Sequence, residues 1–420
     1  MKRVIFHVDV NSAFLSWEAC YRIHHLGGKQ DLRKMVSAVG GDQEKRHGII
    51  LAKSIPAKKF HIQTGETVVS AKEKCPDLTL VPPNYDLYNK SSKALIKLLS
   101  EYTDKIEQYS IDEAFLDMTG CCDDSERTAH EIKDRVHAQL GFTVNIGVSE
   151  NKLLAKMASD FMKPDRVHTL WKSEIQTKMW PLPVSELFYV GHASLNKLRK
   201  LGIHTIGELA ATDPGILQAH MKSQGLLIWQ YANGIDETAV IDTPPLAKGY
   251  GNSLTTPQDV TEPGIAKQYL LSLSETIAAR LRADSVKIGV VSISLRDWDL
   301  RFYGHQITLS VPTDLTMEIY HAACQCLSEL WDGTPLRHLG IHTSSVTTDQ
   351  YRQMQLFDTV DYEKAKRMEK TVDRIRKKYG MDSIKRACFL PSAGNMEMDH
   401  MAGGISREKR TVDYTKERIL

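Results

Sequence analysis

The chain opens on a short apolar run, Val4 to Val8, that ends at Asp9 and reads as a buried strand. Asn11 or Ser12 stands where a helix cap belongs, with Phe14, Leu15 and Trp17 near the start of that helix. Residues 27–48 are loop-rich and glycine-rich, and a second apolar run, Ile49 to Ala52, precedes Lys53. Residues 90–107 place Leu95, Leu98, Leu99, Tyr102 and Ile106 at helical spacing. Tyr109 to Asp117 reads as a strand hairpin. Ile132, Val136 and Leu140 mark another helix, and Phe142 to Val148 another strand. Strands alternating with helices to about residue 165 imply an α/β layer domain.

From about residue 166 the pattern changes to short helices, with a turn-and-helix phrase at 201–210. Residues 237–247, with Pro244 and Pro245, read as a linker. Beyond it, strands near 248–254, 287–296, 301–311 and 336–347 and helices at 265–283 and 314–331 spell a β-α-β-β-α-β unit. A last amphipathic helix near 361–379 places Met368, Val372, Ile375 and Tyr379 on one face, and the polar end after it is expected to be disordered.

Composition excludes little beyond wholesale disorder: apolar residues are 42% and charged residues 25% of the 420. The net charge of +2 argues against binding nucleic acid by bulk charge, but it conceals blocks. Residues 1–80 carry +5, 81–165 carry −5, 166–236 carry +2, 237–349 carry −5 and 350–420 carry +5. The seven cysteines include no C-x-x-C pair, so free thiols in a reducing compartment are expected. The opening apolar run is too short for a signal peptide and no stretch suits a membrane helix, so a cytoplasmic location without membrane association is expected.

Candidate chemistry begins with Asp9 at a strand end and the adjacent Asp112 and Glu113 in a hairpin. Three converging carboxylates repel one another unless hard cations neutralise them, and Mg²⁺ prefers such oxygen ligands. Two ions can clamp the attacking and leaving oxygens of a phosphoryl displacement. Spacing alone also allows a loop acid and a solvated acidic turn.

The surrounding residues narrow the choice. Asp9-Val10-Asn11-Ser12-Ala13-Phe14, then Tyr109-Ser110-Ile111-Asp112-Glu113-Ala114-Phe115-Leu116-Asp117, then Ser149 with Asn151-Lys152-Leu153-Leu154-Ala155-Lys156 and Lys163-Pro164 resemble the Y-family translesion DNA polymerases, the bacterial DNA polymerase IV and V type. The order and spacing match to about residue 390. The resemblance implies a multidomain α/β and α+β right-hand polymerase: a ferredoxin-like palm at 1–18 and 81–165, small fingers at 19–80, a helical thumb with a helix-hairpin-helix at 166–236, the linker, a βαββαβ little finger at 248–349 and a clamp-binding tail at 350–420. It implies low-fidelity, proofreading-free extension of a primer across damaged template.

Residue by residue, the resemblance makes Asp9, Asp112, Glu113 and the Val10 carbonyl the ligands of two Mg²⁺ ions, with activity falling as acid titrates the carboxylates. Val10, Asn11, Ser12, Ala13 and Phe14 would line the nucleotide site, and Phe14 would be the steric gate against a ribose 2′-hydroxyl. Lys53, Lys58 and Lys163 become triphosphate candidates. The family has Tyr where Ile55 stands and Arg where Lys58 stands, which removes a hydroxyl donor and a bidentate fork. Lys152, and Gly191 and Gly202 of the helix-hairpin-helix, become DNA contacts, although Tyr189 replaces that motif's first glycine. Gln353, Leu356 and Phe357 resemble the pentapeptide that binds the bacterial sliding clamp. The implied partners are primer–template DNA, deoxynucleoside triphosphates and the clamp, around a monomer.

Two other classes stay open at this point. Ile55, Lys58 and Tyr189 are compatible with a clamp-tethered DNA-binding scaffold of weak or no activity, and a palm-like core is shared with nucleotide cyclases. The acid excess of the little finger is unexpected for a DNA grip. Its basic residues, Lys248, Arg280, Lys287, Arg296 and Arg301 among them, would have to gather on one face.

Overall fold

The computed structural model describes residues 3–41, 48–348, 361–390, 400, 401, 412 and 414. The chain divides into two compact units, Met1–Gly40 with Ile50–Pro244 and Thr411–Leu420, and Gly41–Ile49 with Pro245–Arg410. No helix among the described residues is long and apolar enough to cross a membrane.

The first unit contributes strands β1 (Ile5–Val10), β2 (Ser37–Gly40), β3 (Ile50–Lys53), β4 (Thr79–Val81), β5 (Ile106–Gln108), β6 (Glu113–Asp117), β7 (Val144–Ser149) and β8 (Val167–Thr169). They form a five-stranded sheet, β5-β6-β1-β7-β8, and a three-stranded one, β3-β2-β4. β1 is central, so both of its faces are covered, and every residue but Asp9 is buried. Phe6, Val8 and Val10 share one core with Trp17, Tyr88, Leu95 and Val136, while Ile5 packs with Phe115 and Ala155. This double burial is why β1 reads in the sequence as a continuous apolar run rather than an alternating one.

Short helices over 172–232 close on a separate core around Met179, Leu198, Ile206, Leu217 and Ile228. Within it, helix His192–Lys200 turns through Gly202, at φ +76°, into helix Ile206–Ala211. Thr205 and Glu208 cap the second helix reciprocally. Tyr189 sits at φ +71°, the left-handed region that glycine enters freely and a bulky side chain enters at a cost. The backbone thus retains the shape of the missing glycine.

The second unit runs β9 (Gly251–Val260), helix Pro263–Ala283, β10 (Lys287–Asp297), β11 (Phe302–Thr313), helix Thr316–Leu330 and β12 (Leu336–Thr347), with sheet order β11-β10-β12-β9. Both helices pack on one face of the sheet, Leu270, Leu273, Ile277, Ile319 and Leu327 meeting Val291, Ile293, Leu295, Leu339 and Ile341.

Several expectations change. The helix expected over 90–107 is Tyr85–Leu99, and Ile106 begins β5. The hairpin runs from Ile106, with Tyr109 to Asp112 forming its turn. Ser12 makes no side-chain cap. It lies at φ 47°, ψ 53°, and this left-handed residue turns strand β1 into helix Ala13–His25. The last helix, Tyr362–Tyr379, buries Glu369 and Arg376 while Met368 and Tyr379 are exposed. Glu369 pairs with Arg282 and accepts the Thr316 N–H at 3.0 Å, and Arg376 pairs with Glu275 at 2.8 Å. Charge pairing, not the apolar stripe, therefore sets that helix's rotation.

Three of the basic residues of the second unit have local partners or are buried. Lys287 is buried, Arg280 lies over the Tyr250 ring, and Arg296 lies over the Phe302 ring. The polar end is anchored at Tyr414 on the first unit. Its hydroxyl donates to Glu18 at 3.1 Å and accepts from Asn84 at 3.0 Å, and its ring packs against Tyr21.

Candidate active site

The register of the five-stranded sheet places Asp9 directly opposite Glu113 on β6 and opposite Asn145 on β7. The Val10 N–H donates to the Asp112 carbonyl at 3.0 Å, tying the hairpin turn to the strand end. Ser110 donates to the Asp112 carboxylate at 2.6 Å and so orients it. The three acids are thus held by one strand end and one hairpin.

A helix closes over this face. Gly147 of β7 permits it: a Cβ there would lie 1.9 Å from the Ala155 carbonyl oxygen, so only glycine lets helix Lys152–Asp160 approach so closely. The approach brings Lys156 onto Glu113 and Ser159 within 2.8 Å of His7 Nδ1. His7, two residues before Asp9, is fully buried, and its Nε2 lies 3.0 Å from the Glu113 carboxylate. Burial keeps His7 below the usual histidine pKa. Neutral His7 then donates through Nε2 to Glu113, and its Nδ1 faces the Ser159 hydroxyl, which also donates to the Lys156 carbonyl at 2.8 Å.

Burial opposes ionisation of Glu113, but the His7 hydrogen bond and the Lys156 ammonium outweigh it and hold the carboxyl at about 2. Asp9 moves the other way. Its burial raises the pKa despite the Lys163 ammonium on its Oδ2. Two like acids thus carry opposite shifts in one site, a pattern typical of functional centres.

The acids are hard oxygen donors at one strand end, a set that suits a divalent cation. Among the described residues no three His, Cys, Asp or Glu side chains are close enough to form a finished metal cage. An ion on Asp9 would take the place of the Lys163 ammonium.

Phe14 stands at the start of helix Ala13–His25, its ring stacked on Tyr88 with centroids 4.5 Å apart and planes 8° from parallel. Trp17 and Tyr85 complete the cluster. Asn11 does not cap this helix. It donates to Asn145 at 3.0 Å and accepts the Asp165 N–H at 2.9 Å, fastening the segment after Lys163. Lys53 has its pKa lowered by burial and then by Lys58, which places these two ammoniums together. Among the described residues neither pairs with the acids. Lys152 binds both oxygens of Glu107 at 2.7 Å. Gly191 caps helix His192–Lys200. Gln353, Leu356 and Phe357 lie outside the described residues.

Sequence reasoning missed His7, Ser159 and the pairing role of Lys156. The signal for His7 was a histidine inside an apolar run and in phase with Asp9, since residues two apart on a strand share a face.

Residues 8–160 match the impB/mucB/samB family and residues 247–356 match the C-terminal domain of that family. The chain belongs to this family, the Y-family DNA polymerases. Its relatives include DNA polymerase IV of Clostridium acetobutylicum, 44% identical over 392 residues, which are 93% of this chain and 99% of that one. DNA polymerase IV 2 of Bacillus subtilis is 35% identical over 406 residues, 94% of this chain and 96% of its own. Among solved structures, a Y-family DNA polymerase chimera of Dbh and Dpo4 has the same fold, with a TM-score of 0.71 over 82% of this chain and 100% of that one at 21% identity.

Proposed function

We propose that this chain is a template-directed DNA polymerase that extends a primer across damaged template, with low fidelity and without proofreading. The observation that carries the reading is the β1–β6 register, which sets Asp9 opposite Glu113 with Asp112 tied to the same strand end. The scaffold and cyclase readings lose ground to relatives matched along almost the whole chain.

Asp9, Asp112, Glu113 and the Val10 carbonyl would hold two Mg²⁺ ions. Bound there, the ions supply Lewis-acid activation of the primer 3′-hydroxyl and charge stabilisation on the leaving pyrophosphate. The chain's own residues do the rest. His7 and Lys156 fix one oxygen of Glu113 and keep the carboxyl ionised. Lys163, released from Asp9, is a cation at the edge of the site able to meet a triphosphate oxygen. Lys53 and Lys58 form a second cationic pair for the triphosphate, with Val10 to Phe14 lining the nucleotide and the Phe14 ring excluding a 2′-hydroxyl.

The palm is assigned to 1–18 and 81–165, the fingers to 19–80, the thumb to 166–236, the linker to 237–247, the little finger to 248–349 and the tail to 350–420. Gly191 meets a DNA phosphate at the hairpin, which Gly202 shapes through its left-handed turn while its own N–H donates to the Arg199 carbonyl at 3.1 Å, and Lys152 reaches DNA by exchanging Glu107 for a phosphate. Gln353, Leu356 and Phe357 bind a sliding clamp. The enzyme works as a cytoplasmic monomer. Primer extension by the purified chain with Mg²⁺ and four deoxynucleotides should pass an abasic template position, and EDTA should stop it. Failure to extend even an undamaged template would return the protein to the scaffold class.

His7 acts as a positioning residue for Glu113. His7→Phe keeps ring volume and removes both nitrogens. It is expected to lower kcat for single-nucleotide incorporation by about 10–100-fold, the usual size of an outer-shell effect, with nucleotide KM little changed. His7→Gln should restore part of the rate, and a parallel rise in KM would contradict the assignment.

A further inference from the structure

The two helices of the second unit cover one face of its sheet, and on the other face Phe302, Gly304, Gln306, His342 and Gly251 are exposed. Register fixes what stands there. Phe302, Arg296, His338 and Thr255 form one rank across the four strands. Gly304, Ser294, Gly340 and Ser253 form the next, and Gln306, Ser292, His342 and Gly251 the third. Ten of these twelve residues are Gly, Ser, Thr, Gln or His with no fixed charge, and three are Gly. None is a carboxylate, although residues 237–349 carry 13 acids against 8 Lys and Arg. Among the described residues of 248–348 the acids lie on helices, turns and strand ends. The open face is therefore the acid-free side of an acid-rich body, which suits a polyanion.

Arg296 supplies the permanent charge of these ranks. Its guanidinium lies 4.0 Å from the Phe302 ring centroid, and its Nε is buried with no hydrogen-bond partner. The remaining titratable groups are two imidazoles. His342 Nε2 lies 3.2 Å from Ser294 Oγ, and the ring occupies a slot that two glycines provide. A Cβ on Gly251 would come within 2.6 Å of its Nδ1, and one on Gly340 within 3.4 Å of its Nε2. His338 Nδ1 lies 3.3 Å from Thr255 Oγ1 on β9. The charged or titratable groups facing His338 are Arg296 from β10 and His342 along its own strand, with no carboxylate among them.

We infer that His338 makes this face a proton-tuned platform for a nucleic-acid backbone, so that hold on primer–template DNA tightens as pH falls. The inference rests on the reading of the chain as a DNA polymerase whose little finger meets DNA. Burial and then Arg296 and His342 keep the free His338 below the usual 6.5. A phosphate beside it favours the charged form and moves its pKa up. Affinity therefore rises as pH drops through the bound-state pKa and levels off below the free-state one.

The test is fluorescence anisotropy of full-length protein on a labelled primer–template at pH 6.0 and 8.0, each over a salt series. Wild type should bind more tightly at pH 6.0. Its slope of log K against log salt should steepen by roughly 0.9, the contribution of one added phosphate contact. His338→Gln should lose both the tightening and the steeper slope, and His338→Arg should bind more tightly than wild type at pH 8.0. Gln306→Glu, which places a carboxylate on the open face, should weaken binding at both pH values. If Gln306→Glu binds like wild type, the face does not meet DNA and the underlying reading of this domain fails. If it weakens binding while His338→Gln keeps the wild-type profile, proton tuning is wrong and the inference fails.

Discussion

Asp112→Asn is expected to cut nucleotide incorporation by about a thousandfold or more, equivalent to roughly 4 kcal/mol of lost transition-state stabilisation. Single-turnover incorporation at saturating nucleotide is the measurement. Asp112 is a cleaner probe than its two partners for a structural reason. Asp9 and Glu113 are largely buried and paired with Lys163 and Lys156, so neutralising either one strands an ammonium and endangers the fold. Asp112 stands in the hairpin turn, where its side chain is bonded by Ser110 and its backbone carbonyl by Val10. Asparagine keeps the shape, the backbone bond and an acceptor for Ser110, while losing the charge a cation needs. The thermal midpoint should stay within a few degrees of wild type. Near-normal extension by a folded Asp112→Asn protein would end the metal assignment.

Phe14→Ala should raise ribonucleotide incorporation relative to deoxynucleotide by about a hundredfold or more, because a steric clash, unlike a lost contact, is removed completely by truncation. The effect is expected to be large because the ring is backed. Tyr88 lies parallel behind it at 4.5 Å and is itself fully buried, so the gate cannot retreat to admit a hydroxyl. The same stack sets the cost. A fully buried Phe→Ala change costs about 3–5 kcal/mol, and Phe14 is only half-buried, so a smaller loss is expected. Competition between rGTP and dGTP opposite template C reads the selectivity directly. Undiminished rejection of rGTP would show that another group guards the sugar.

Much of this architecture could be read from the chain. The β1 run, the acidic hairpin and the second unit's βαββαβ order are all carried by local patterns of apolar residues and turns. What the sequence hid depends on distant partners. Helical spacing continues through Tyr102 and Ile106, but the Thr103 hydroxyl bonds the Asp117 carbonyl at 2.9 Å and β5 pairs with β6, so sheet formation takes over from the helix. The rotation of the last helix is set by Arg282 and Glu275, about ninety to a hundred residues upstream, and no periodicity within the helix reports them. His7 stands in phase with Asp9, but a satisfied buried histidine in an apolar run looks like an interruption of the pattern rather than a part of the site. The lysines fell the other way. Lys156 and Lys163 were visible as charges, and only the fold shows that they neutralise Glu113 and Asp9.

Tyr414 has a practical consequence for anyone handling the protein. A chain end is the customary place for a purification tag or a fluorescent fusion, on the assumption that nothing depends on it. Here the Tyr414 hydroxyl accepts from Asn84, whose side chain also caps the helix that carries Tyr85 and Tyr88. A bulky carboxy-terminal fusion, or proteolytic trimming of the last ten residues, would thus disturb the foundation on which the aromatic backing of Phe14 rests. Sugar selectivity measured on such material would describe an altered enzyme, and an amino-terminal or cleavable tag is the safer choice.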